Sequence, residues 1–77
     1  MASSYTIPVL EKTFAVIKCI SEHDTGLTLS DIVKKIEAPK STVFKILHTL
    51  ENELIVEKKR DRYFLGSMLI HYGLHTL

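Results

Sequence analysis

Ser41, Phe44, Lys45 and His48 fall on one side of the stretch Pro39 to Leu50, PKSTVFKILHTL, when it is read as a helix at roughly 100° per residue, with Lys40, Ser41 and Thr42 at its start. That side carries cations, hydroxyls and an imidazole and no acid, so its chemistry is donation to phosphates and to base edges. Val43, Ile46, Leu47 and Leu50 share the opposite side and belong to a core. Phe44 has two readings: it packs on sugar or a thymine methyl, or it folds back on the domain's edge. A second basic group, Lys58, Lys59, Arg60 and Arg62, crowds one turn further on and reads either as a partner of the first or as an ordinary solvated face.

Other chemistries fit poorly. Ser41 and His48 stand seven residues apart, about two helical turns, too far for a nucleophile and its base. Cys19 lies in an apolar helix, away from any helix start that would lower its pKa, and reads as inert. His71 and His75 have the i, i+4 spacing that grips Zn²⁺ from one helix face, but neither a Glu between them nor a Cys pair supports a site. No enzyme, cofactor or metal is expected.

The 77 residues make one small domain, and 45% apolar content gives it a core. One cysteine cannot form an internal disulfide, which points to a reducing, cytoplasmic setting. No run approaches a membrane span and the start MASSYTIP has no signal-peptide pattern, so a soluble chain with no membrane partner is expected. The formal net charge of +1 argues only weakly for a polyanionic partner; the placement of the cations says more.

The positioning elements follow in order. Residues 1–6 read as a flexible leader. A first helix from about Pro8 to Glu22 carries a stripe of Val9, Leu10, Thr13, Phe14, Ile17 and Ile20, with Ala15, Val16 and Cys19 as a possible second contact surface. His23 to Gly26 make a turn, and Thr28 with Asp31 forms a near capping box for a two-turn helix through Leu29, Ile32, Val33 and Ile36. Glu37, Ala38 and Pro39 stop it, and the third helix runs to about Asn52. IVEKK and RYFLG then read as a hairpin, with Val56, Tyr63 and Leu65 turned toward the helices. Ser67 is a candidate N-cap for a last helix, with Met68, Leu69 and Tyr72 on one face and Ile70, Leu74 and Leu77 on the other. The chain stops in that helix without a polar tail, as a piece of a longer protein would. The fold expected is mainly α with a small β-hairpin: a winged helix-turn-helix with a three-helix core and two-stranded wing over residues 7–66, then the start of a linker or dimerisation helix over 67–77.

The pieces GLTL, PKSTV followed by an aromatic and a basic residue, TLE and RYFLG, in that order, resemble the N-terminal winged-helix domain of the IclR family of bacterial transcription regulators, over about Ile7 to Gly73. The resemblance implies a domain that binds double-stranded DNA sequence-specifically, as a homodimer on a palindromic operator, in the bacterial cytoplasm at the nucleoid. It also implies a C-terminal effector-binding domain, absent from this chain, through which alone a small-molecule effector would act. By position it implies DNA contacts from Thr28, Lys40, Ser41, Thr42, Phe44, Lys45 and His48, with Lys59 and Arg60 from the wing. Dimer contacts would come from the first helix and linker, at Ala15, Cys19, Ile70, Leu74 and Leu77. Leu54 and Ile55 stand where the family often has Gly and an aromatic, the wing tip KKRDR lacks glycine, and Lys45 replaces a frequent Arg with a point charge. The competing reading is a winged-helix protein-protein interaction module without specific DNA binding, because fold does not fix function.

Overall fold

In the computed structural model, which describes residues 5–76, Pro8 occupies the first turn of α1 (Pro8–Ser21), where its missing N–H costs no hydrogen bond. Met1 to Ser4 of the expected leader lie outside the described residues, and so does Leu77, one of the expected dimer contacts. Gly26, at φ 81, turns the chain after α1 and brings it so close to Phe64 that a Cβ there would press on that ring at 2.6 Å. The strand β1 (Leu27–Thr28) follows, then α2 (Leu29–Ile36), α3 (Lys40–Asn52), the hairpin strands β2 (Val56–Lys59) and β3 (Arg62–Leu65), and α4 (Met68–Leu74).

The capping box at α2 is complete: Thr28 Oγ1 accepts from the Asp31 N–H and the Asp31 carboxylate accepts from the Thr28 N–H, each at 3.1 Å. Glu37, in a left-handed conformation at φ 57, ends α2 and donates its N–H to the Val33 carbonyl at 3.1 Å. Extended Pro39 then swings the chain into α3, and its carbonyl takes the N–H groups of Thr42 and Val43.

The sheet has three antiparallel strands in the order β1-β3-β2, so the expected two-stranded wing gains a third strand. β1 pairs Leu27 with Tyr63 and Thr28 with Arg62, which fastens the wing's base to the start of α2. A two-residue strand is too short to show alternation, so GLTL gave only its capping signal. Val16, Ile32, Val43 and Leu47 are fully buried, with Ile20, Leu50, Val56 and Tyr63 beside them, so α1, α2, α3 and the inner face of the hairpin share one core.

Three expectations need correction. On α1 the buried residues are Val16, Cys19 and Ile20, while Val9, Leu10 and Phe14 are half exposed or more. Phe14 stands roughly 120° around the helix from Ile20, and α1 is apolar on both of those sides, so its pattern does not say which one turns inward. Leu65 stays 38% exposed: it ends β3, and Gly66 immediately draws the chain in to Ile55 instead. Gly66 packs so tightly there that a Cβ would run into the Leu54 carbonyl. Ser67 precedes α4 but is already helical at φ −67 and ψ −24, so its hydroxyl makes no cap bond.

Candidate nucleic-acid interface

Val43, Ile46, Leu47 and Leu50 bury one side of α3, and that burial fixes the direction of the other. Lys40, Ser41, Phe44, Lys45 and His48 are all exposed there. Phe44 is 51% exposed, and its ring stacks on His48, one turn later, with centroids 6.2 Å apart and planes 17° from parallel. A flat aromatic surface flanked by lysines thus lies along the outward side.

Two depressions flank α3. A cleft of about 390 Å³ between its first turn and the wing is lined by Thr28, Leu29, Ser30, Lys40, Phe44, Lys58, Asp61 and Tyr63. On the other flank a groove of about 270 Å³ against α1 is lined by Val9, Leu10, Thr13, Thr42, Lys45, Ile46, Thr49 and Leu50. The Thr13 and Thr49 hydroxyls donate to their own helices, at Val9 O and Lys45 O, which leaves the second groove apolar.

The structure therefore brings Thr28, Lys40 and Phe44 to the wing side, stacks His48 on Phe44, and sets half-buried Thr42 beside Lys45 on the α1 side. Thr28 serves the interface through position as well, since its hydroxyl oxygen holds the Asp31 N–H and so anchors α2. The Thr28 N–H and hydroxyl bonds, with Arg62 and Lys34 nearby, hold the Asp31 carboxyl below its ordinary range.

The hairpin splits the wing cations between two faces. Lys58 pairs with buried Tyr63 and lays its Nζ 5.6 Å from that ring's centre, on the side toward α3; Lys59 pairs with Arg62, and its Nζ lies 5.4 Å from the centre of the Phe64 ring on the other side. Arg60 takes the left-handed conformation, φ 59, at the first of two loop residues, a place two-residue hairpins usually give to Gly, Asn or Asp. Lys58, which is not among the site residues expected from sequence, lines the cleft with Lys40 and Phe44. Strand alternation carries the signal, since a residue paired with inward-facing Tyr63 must share its face.

Of the expected dimer contacts, Ala15, Ile70 and Leu74 are exposed, the last two at 68% and 70%. Cys19 is not available: it is buried among α1's core residues, and that burial pushes its thiol pKa up. His71 and His75 face solvent with ring centres 4.6 Å apart, and among the described residues no three metal-capable side chains gather. No helix among the described residues is long and apolar enough to cross a membrane.

Two short helices joined by a tight turn, the second with a polar outward side and a basic hairpin behind it, define a winged helix-turn-helix domain of the DNA-binding class. A profile of the IclR helix-turn-helix domain matches residues 9–60, and the chain belongs to the IclR family. It is 35% identical over 69 residues to the glycerol operon regulatory protein of Streptomyces coelicolor, an alignment covering 87% of this chain and 27% of that protein. It is 33% identical over 51 residues to the transcriptional regulator TtgV of Pseudomonas putida, covering 66% of this chain and 20% of the relative. The crystal structure of an IclR transcriptional regulator from Alicyclobacillus acidocaldarius superposes with a TM-score of 0.85 at 29% identity, covering 94% of this chain and 30% of that one. The chain thus spans less than a third of the length of each of these proteins. Membership places it among transcription regulators rather than enzymes.

Proposed function

We propose that this chain is the sequence-reading part of a transcription regulator: α3 enters the major groove of double-stranded DNA and the basic wing lies on the backbone. The observation that carries the reading is the division of α3 into a buried apolar side and an outward side that carries no acid from Lys40 to His48, Glu51 following only in the last turn, placed beside a hairpin with cations on both faces. N–H groups at the first turn of α3, near Lys40, Ser41 and Thr42, meet a phosphate at the positive helix end. Lys45 and His48 reach base edges, and the Phe44 ring packs on sugar or a thymine methyl. Residues 7–66 form the DNA-binding unit and 67–77 begin a linker helix. The protein acts as a homodimer on a palindromic operator, with the exposed apolar residues of α1 and α4 as the contact, and a small-molecule effector binds a further C-terminal domain. The Streptomyces relative, named for the regulation of an operon, supports this reading.

The test is an electrophoretic assay at moderate salt with competitor DNA. Retarded duplex that survives competitor is the expected result. No binding to any duplex would favour the second reading, a module for protein contact, which the half-exposed Val9 and Leu10 and the exposed Phe14 on α1 support.

A further inference from the structure

We propose that Lys58, rather than Lys59, is the wing's principal phosphate contact, and that with Lys40 it holds a single DNA phosphate in the cleft between α3 and the hairpin. This rests on the DNA-binding reading and assigns one part of it. Antiparallel pairing sets Lys58 opposite Tyr63, and paired residues project from the same face of a hairpin. Tyr63 is only 2% exposed, so that face is the one turned to the helices. The Lys58 ammonium lies 5.6 Å from the centre of the Tyr63 ring, and both residues line the cleft.

Lys59 is one residue on and faces away, over Phe64, beside Arg62, whose guanidinium donates to the Gly26 carbonyl at 3.1 Å. A strand of DNA seated against α3 meets Lys58 and Lys40 before it can meet Lys59. Phe44 walls the same cleft, so a phosphodiester held there has an apolar surface for its sugar. Asp61 also lines the cleft, and its carboxylate sets a limit. Two ammonium groups against one carboxylate leave a single net positive charge, enough to neutralise one phosphate.

The experiment compares Lys58→Gln with Lys59→Gln, which keep most of the stem and remove the charge, by anisotropy of a labelled duplex titrated over a range of salt. For Lys58→Gln the expected loss is about fivefold at roughly 0.15 M salt, equal on every duplex, fading toward 1 M, with a salt slope shallower by about 0.9. Lys59→Gln should lose less than half as much, and Lys58→Arg should keep the wild-type slope. A Lys59→Gln loss equal to or larger than that of Lys58→Gln, in a wild-type chain that binds duplex, would overturn this assignment alone. A wild-type chain that binds no duplex would overturn the DNA-binding reading beneath it.

Discussion

The helices α3 and α1 are of similar length and both put apolar residues into the one core, yet they differ in what they leave outside. α3 turns out lysines, hydroxyls and a stacked Phe44–His48 pair, whereas α1 leaves Val9, Leu10 and Phe14 in solvent. A helix with one apolar side can be oriented from its sequence, because only one rotation buries the apolar residues and hydrates the charges. A helix with two cannot, and the side left outside reports a second demand. On the function proposed above, that demand is a polyanion for α3 and another apolar surface for α1.

The largest expected effect breaks the comparison at the core. Leu47→Ala, at a fully buried position of α3, should cost about 2 to 5 kcal/mol in urea unfolding, whereas Phe14→Ser on α1 should change stability by within about 0.5 kcal/mol at low protein concentration. A Phe14→Ser cost as large as that of Leu47→Ala would mean α1 buries that side after all. At high concentration Phe14→Ser should instead weaken self-association, read by light scattering, while Ser41→Ala on α3 leaves it unchanged.

Smaller effects sharpen how α3 is held. Thr28→Ala removes the hydroxyl acceptor of the α2 cap and should cost about 1 kcal/mol. The Asp31 carboxylate, held below its ordinary pKa of about 3.8, contributes stability that is present above that value and is lost as pH falls through the lower folded value. Acid titration of stability should therefore be steeper in the wild type than in Asp31→Asn, and parallel curves would remove the carboxylate from the cap. Leu54 has φ 61, a conformation costly for a side chain with a Cβ. Leu54→Gly should stabilise the chain by about 0.5 kcal/mol, the relief of strain exceeding the entropy that glycine adds to the unfolded state.

The comparison also shows what the sequence made legible. The helix-turn-helix was readable because Thr28, Asp31, Pro39 and the Val43–Leu50 stripe each send a local signal, and local signals survive folding. The strand β1 was not, because two residues carry no period and Leu27 pairs with Tyr63, 36 positions away. Lys58 and Lys59 read as one basic cluster because composition has no faces; only the register with Tyr63 and Arg62 separates them. Cys19 had two readings, an inert core thiol and a dimer contact, and its burial keeps only the first. Which side is the core is decided by where α2 and β3 lie, not by α1 itself.

The central claim is that the outward side of α3 reads base sequence, and selection of duplexes from a random pool by the wild-type chain tests it most directly. The account predicts enrichment of an inverted repeat, with Lys45→Ala flattening one position of each half-site by about 1 to 3 kcal/mol of discrimination. Enrichment of no sequence, or equal losses on selected and random duplexes for each of Phe44→Ala, Lys45→Ala and His48→Ala, would contradict it.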